Sequence, residues 1–241
     1  MVHRLPCKEG QSVKSHDQKV ALQESDHSGL GVYFAVQCQR GRPFFDALLR
    51  HFRPGIRLLE CGVGPGVLSI YLGRSGYHAT GVDINPDVVE LARCNNERLE
   101  GMTRYVVGDM FEADRTFGRD AFDGIFSAGT LEHFSDAEIL RAIRTQFVVA
   151  RLNIIVVPCA NVRPDIASHM YGDERLLKVS DWECVIRHAN GEIIDRFGYW
   201  FDATRIGALN WRIPVLAETL LSPPLARFAA DIGFVGRRRE Q

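Results

Sequence analysis

The chain has 241 residues, 46% of them hydrophobic, with a formal net charge of −1. That is enough apolar material for one large α/β domain, and the near-neutral charge excludes a general attraction to nucleic acid or anionic membrane. Six cysteines (Cys7, Cys38, Cys61, Cys94, Cys159, Cys184) form no C-x-x-C pair and charges interrupt every apolar run, so zinc, disulfides and membrane spans are not expected and the chain reads as cytoplasmic.

Residues 1–25 are polar and without periodicity, and read as a mobile N-terminus ahead of a single domain over 26–241. Within 26–54, Tyr33, Phe34, Gln37, Arg40, Phe44, Phe45, Leu48 and Leu49 fall at helical spacing before Pro54-Gly55, which predicts cap helices. Ile56, Leu58 and Leu59 then form a short apolar run ending on the carboxylate of Glu60. Gly62, Gly64 and Gly66 follow at alternate positions, and Val67 to Leu72 is amphipathic. That order predicts a strand, a tight turn and a helix. A glycine turn lets a ligand sit against bare backbone, and the helix start presents unsatisfied N–H groups to an anion. The loop is therefore suited to a nucleotide-type cofactor. The dinucleotide fingerprint G-x-G-x-x-G would place its third glycine at 67, where this chain has Val67.

The pattern repeats downstream. His78 to Asp83 reads as a second strand, Arg104 to Asp109 as a third and Phe122 to Ser127 as a fourth, with Glu132 and His133 just beyond it. Asn153 to Pro158 reads as a fifth, buried on both faces. Helical patterns over Asp87–Leu99 and Asp136–Phe147 fill the gaps. Alternating strands and helices imply a parallel sheet with right-handed crossovers, whose strand ends line one crevice.

With these motifs in place, the chain resembles the class I S-adenosylmethionine (SAM)-dependent methyltransferases over Leu58–Pro158, in their small-molecule branch. Leu-Leu-Glu-Cys-Gly-Val-Gly-Pro-Gly is similar to the family's first motif, with Glu60 where aspartate is commoner. Gly-Val-Asp-Ile-Asn-Pro around Asp83, Gly-Asp-Met at 108–110 and Leu-Glu-His-Phe at 131–134 match its later motifs in order. The resemblance implies a Rossmann-like, doubly wound, seven-stranded and mostly parallel sheet with an antiparallel last strand. It implies SAM as cofactor and S-adenosylhomocysteine as product. Glu60, Gly62, Gly64 and Gly66 would hold the methionine end, Asp83 the ribose hydroxyls, and Asp109 the adenine amino group. Met110 and Ile84 would cover the two sides of the ring, and Ser127 would complete the cofactor site. His133 is the candidate catalytic base, with loop orientation or helix capping as its alternative role.

Other readings of the same residues stay open. Asp83, ahead of Asn85-Pro86, could cap the next helix, and Asp109 could be an ordinary turn residue. Glu60 has few structural excuses, because an unpaired buried carboxylate is costly. Residues 160–190 are rich in polar and aromatic side chains, including Asn161, Arg163, His169, Met170, Tyr171 and Trp182, and read as a lid insertion. Ile193–Phe201 and Arg227–Val235 read as the last two strands, with a helix over Arg205–Leu221 interrupted at Pro214. The Pro-Gly-Gly turn that commonly precedes the family's fifth strand is absent, which leaves the start of that strand open. Arg237–Arg239 reads as a solvated end.

The expectation is a SAM-dependent methyltransferase acting on oxygen, nitrogen or carbon of a small molecule, without nucleic-acid or membrane partners. A non-catalytic methyltransferase-like binding protein and an NAD(P)-dependent oxidoreductase are the alternatives. The latter calls for a glycine at 67 and a Tyr-x-x-x-Lys constellation, and neither is found.

Overall fold

The computed structural model describes residues 27–160, 175–199, 229 and 231–240. Within them, α1 (His27–Arg40) and α2 (Arg42–His51) precede β1 (Arg57–Cys61), α3 (Val67–Arg74), β2 (His78–Asp83) and α4 (Pro86–Arg98). Then come β3 (Arg104–Val107), a 3₁₀ turn at Met110–Glu112, α5 (Ala113–Phe117), β4 (Phe122–Ala128) and a second 3₁₀ turn at Leu131–His133. The chain continues through α6 (Asp136–Val149), β5 (Ala150–Pro158), α7 (Val179–His188), β6 (Gly191–Tyr199) and β7 (Asp231–Arg238).

The seven strands form one sheet in the order β3-β2-β1-β4-β5-β7-β6. Pairing is parallel from β3 through β5, and β7 lies antiparallel between β5 and β6. The expected seven-stranded, Rossmann-like α/β architecture with an antiparallel last strand is the one observed.

Successive strand residues point to opposite faces, and here both faces are apolar. Leu59, Ile125, Ile155 and Phe234 pack beneath α6 and α7 with Ile139, Ile143, Phe147, Trp182 and Ile186. Their neighbours Leu58, Phe126, Ile154 and Val235 pack on the other side against Phe44, Phe45 and Leu48 of α2 and Leu72 of α3. A smaller cluster of Val63, Ile70, Val88, Val89, Ala92 and Tyr105 seats α3 and α4 beside the first loop. Strands covered on both faces read as continuous apolar runs, which is why β5 lacks alternation.

Several boundaries differ from expectation. β5 starts at Ala150 because α6 passes straight into extended backbone at that residue, without an intervening turn. β7 runs to Arg238, so Arg237 and Arg238 are ladder residues: Arg237 is exposed and donates to Glu192 at 2.8 Å, while Arg238 is half-buried and donates to Asp120 and to the Phe147 carbonyl at 2.7 Å. Within the segment read as a lid, Val179–His188 is a helix with Trp182 and Ile186 buried. Residues 161–174, the N-terminal stretch 1–26 and the helix expected over Arg205–Leu221 lie outside the described residues. Among the described residues Cys38, Cys61, Cys159 and Cys184 are free thiols. Among the described residues no group of histidine, cysteine and acidic side chains could hold a metal ion, and no helix is long and apolar enough to cross a membrane.

Candidate functional site

The strand order reverses between β1 and β4, and in open α/β sheets a ligand binds outside the carboxyl ends of the strands at such a point. The glycine loop after β1 lies there. Gly62, Gly64 and Gly66 all have positive φ, at +77°, +48° and +82°, in the region that favours glycine. Two of them serve the protein's own packing: a Cβ at Gly66 would meet the Tyr105 hydroxyl at 2.6 Å, and one at Gly62 would meet Thr130 Oγ1 at 2.4 Å. Gly64 differs, since a Cβ there would meet nothing within 4 Å. The loop is thus held on its protein side and open at its apex.

Its carbonyls are turned inward and bonded. Asn95 Nδ2 donates to the Pro65 carbonyl at 3.0 Å, and Thr130 Oγ1 donates to the Cys61 carbonyl at 3.3 Å. Ser69 Oγ and Tyr105 Oη lie 2.9 Å apart, and each is 3.3 Å from the Gly66 carbonyl oxygen. Sequence reading missed Ser69, Asn95, Tyr105 and Thr130. The one local signal was the hydroxyl of Ser69 in the first turn of the helix after the loop.

Three carboxylates end β1, β2 and the segment after β3. Glu60 is buried, and its Oε2 has no hydrogen-bond partner among the described residues. Burial pushes its pKa up to about 8; the Ser69 hydroxyl and backbone N–H oppose that rise, and the Asp83 charge adds to it. A buried oxygen with a spare lone pair at a loop mouth fits a cationic ligand group. Asp83 is half-buried and accepts from Val63 N–H at 3.1 Å and Asn85 N–H at 2.9 Å. The cap of α4 is Asn85, whose side chain accepts from Asp87 N–H at 2.9 Å. Asp83 is therefore not the helix cap, and each of its oxygens, with one backbone donor, keeps a further acceptor site. Asp109 does cap, accepting from Phe111 N–H at 2.8 Å at the head of the first 3₁₀ turn.

The remaining expected residues divide into buried and exposed. Ile84, directly after Asp83, is 69% exposed, an unusual position for an isoleucine unless something covers it. Met110 is buried in the core cluster beneath the turn. Ser127 near the end of β4 is buried, with its hydroxyl unpartnered among the described residues. His133 is exposed on the second 3₁₀ turn, in the loop that carries Thr130. Arg175 anchors this turn by donating to the Phe134 carbonyl at 2.8 Å and to Asp136 at 2.5 Å, while its backbone N–H donates to the Glu132 carbonyl.

Comparison with known proteins agrees with this geometry. A family model described as "Methyltransferase domain" matches residues 58–151. The chain is 43% identical over 72 residues to the ribosomal protein L11 methyltransferase of Thermus thermophilus, covering 30% of this chain and 28% of that protein. It is 34% identical over 91 residues to the ubiquinone biosynthesis O-methyltransferase of Paramagnetospirillum magneticum, covering 38% of this chain and 35% of that protein. The matches thus span about a third of the length of these curated relatives. By structure, magnesium protoporphyrin IX methyltransferase from Synechocystis PCC 6803, solved with bound S-adenosylhomocysteine, superposes with a TM-score of 0.56 at 17% identity, covering 95% of this chain and 90% of that one. The strand order, the glycine loop and the matched segment agree: residues 58–151 carry the methyltransferase domain that the family model describes, on the fold of the class I S-adenosylmethionine-dependent methyltransferases.

Proposed function

We propose that this chain transfers a methyl group from SAM to an oxygen, nitrogen or carbon atom of a small-molecule acceptor. The observation that carries the reading is the buried, unpartnered Glu60 Oε2 beside a glycine loop that is open at Gly64. The two features suit the ammonium and the backbone of an amino-acid tail. Glu60 with Gly62, Gly64 and Gly66 holds the methionine end. Asp83 holds the ribose: each carboxylate oxygen has two acceptor sites, and one backbone donor leaves the other for a hydroxyl. Asp109 meets the adenine amino group, Ile84 covers the exposed face of the ring, and Met110 supports the turn beneath it. Ser127 offers its buried hydroxyl from β4.

SAM, when bound, supplies a methyl group on a positively charged sulfur, already activated for in-line displacement. The chain's own task is then proximity and orientation. His133, exposed beside the end of β4, takes a proton from the acceptor where the acceptor must lose one.

The near-neutral charge and the ubiquinone O-methyltransferase match support a small-molecule acceptor. A protein acceptor is the second reading, favoured by the L11 methyltransferase match. Calorimetric titration with SAM, S-adenosylhomocysteine and NADH tests the cofactor, with micromolar binding of the first two and none of NADH expected. Methyl-labelled SAM added to a cell extract fractionated by size tests the acceptor. Label in the low-molecular-weight fraction supports the proposal, and label confined to protein replaces it with the second reading.

A further inference from the structure

At the end of the sheet opposite the glycine loop, where β4 and β5 begin and β7 finishes, lies a cavity of about 710 Å³. The seven residues of β4, at about 3.3 Å each, separate it from the cofactor crevice by about 20 Å. Four segments wall it and are tied to one another by hydrogen bonds. Asp120 N–H donates to the Val148 carbonyl at 3.0 Å, and Arg239 N–H to the Asn190 carbonyl at 2.9 Å. Arg238 reaches the Phe147 carbonyl at 2.7 Å, and Arg144 the His188 carbonyl at 3.1 Å. The cavity is therefore preformed, and binding in it need not order its walls.

Its charge is one-sided. Asp120 is shared between Arg238 at 2.7 Å and Arg119 at 3.6 Å, Glu192 is held by Arg237 at 2.8 Å, and Glu240 is held by Arg151. Six arginines thus face three carboxylates, with Arg144 and Arg239 supplementary to every pair, in a chain whose net charge is −1. Capping the last carbonyls of α6 and α7 is the structural use of Arg238 and Arg144. That role takes one of the five N–H donors of Arg144 and none from the Arg239 side chain, which is exposed and makes no hydrogen bond among the described residues. Guanidinium forks match the oxygens of a phosphate. Phe147, Val148 and Ala189 supply the apolar part of the lining, and the volume is that of a site for a nucleotide-sized molecule.

We propose that this cavity is a second ligand site, for a phosphate-bearing small molecule of nucleotide size, with the phosphate held by Arg144 and Arg239 and supported by Arg119. It stands independently of the cofactor reading, because none of its residues belongs to the crevice.

The experiment is calorimetry with ATP, inorganic pyrophosphate and adenosine on protein saturated with S-adenosylhomocysteine, which keeps the nucleotide probes out of the crevice. ATP and pyrophosphate should bind in the micromolar range, more weakly as salt is added, and adenosine should not bind. Arg144→Ala and Arg239→Ala should each weaken ATP about 5- to 10-fold while leaving S-adenosylhomocysteine affinity unchanged. Arg42→Ala removes the same charge from α2, on the other face of the sheet, and should bind ATP as the native protein does. ATP tighter than pyrophosphate assigns an organic phosphate lying on the apolar wall, and equal affinities assign the phosphate group alone. No binding of ATP at millimolar concentration, adenosine binding as tightly as ATP, or an equal loss in Arg42→Ala overturns the site. So does undiminished affinity in Arg239→Ala, a variant with no packing or capping contact to lose.

Discussion

The backbone N–H of Val63, inside the glycine loop, donates to Asp83 Oδ2 at 3.1 Å. The bond crosses from the end of β1 to the end of β2, while Asn85 N–H holds the other oxygen at 2.9 Å. One carboxylate thus fixes both the loop and the start of α4.

Substituting Asp83 should consequently cost both stability and affinity. Asp83→Ala strands two backbone donors and should destabilise the fold by about 1–3 kcal/mol, with SAM binding weakened more than tenfold. Asp83→Asn keeps one acceptor oxygen and should recover part of the stability but little of the affinity. Chemical denaturation and calorimetry read the two effects separately, and a SAM affinity unaltered in Asp83→Ala would remove Asp83 from the site.

Gly64 and Gly66 should respond differently to the same methyl group. In Gly66→Ala the new Cβ meets the Tyr105 hydroxyl at 2.6 Å and Ala92 Cβ at 3.2 Å, so the protein should lose about 2 kcal/mol or more of stability. In Gly64→Ala the methyl enters open space, and the left-handed backbone costs about 1 kcal/mol. That variant should fold while losing cofactor affinity at least tenfold. Thermal melts with and without S-adenosylhomocysteine decide it, and full affinity in Gly64→Ala would place the ligand away from the loop apex.

Glu60 makes the ligand-free protein sensitive to alkali. Its pKa rises from an ordinary 4.5 to about 8 on folding, chiefly through burial. The neutral carboxyl therefore contributes stability that is fully present below pH 4.5 and is lost as pH rises through 8. Glu60→Gln does not titrate. Its melting temperature should be close to wild type near pH 5 and rise above it by about 5 °C or more near pH 8.5. Parallel melting curves for the two proteins across that range would show that Glu60 keeps its solution pKa.

His133 is exposed, so His133→Ala should leave stability within about 0.5 kcal/mol of wild type and SAM affinity unchanged. As the proton acceptor, it should matter most below the acceptor's own pKa, where a drop in turnover of about 10²-fold is expected. A pH–rate profile that superposes on the wild-type curve would show that no base operates from this position.

The sheet was largely legible because each strand ends on a chemical signature: β2 spans His78–Asp83 as read from the sequence, closing on its carboxylate. β5 and β7 were harder. No turn residue separates α6 from β5, and the arginines at the end of β7 look solvated until Glu192 and Asp120 are brought beside them by β6 and the loop before β4. At the site, Gly62, Gly64, Gly66, Glu60 and Asp83 announced themselves through spacing. Ser69, Asn95, Tyr105 and Thr130 did not, because their partners in the loop are set by tertiary packing and no periodicity marks them. The capping ambiguity at Asp83 was likewise resolvable only by geometry, with Asn85 taking that role.

The antiparallel β7 between β5 and β6 also imposes an order on assembly. β3, β2, β1, β4 and β5 are neighbours in the sheet and are all complete in the first 158 residues. β6 pairs only with β7 and has no contact edge of its own on β5. During synthesis the five-stranded cofactor half can form with β5 as a temporary open edge, while β6 waits outside it until residues 231–238 emerge. Until then the apolar run Ile154–Val157 along β5 is an unpaired template for another chain. Arrest or truncation upstream of 231 would therefore leave the glycine loop intact and the molecule prone to aggregate through this edge.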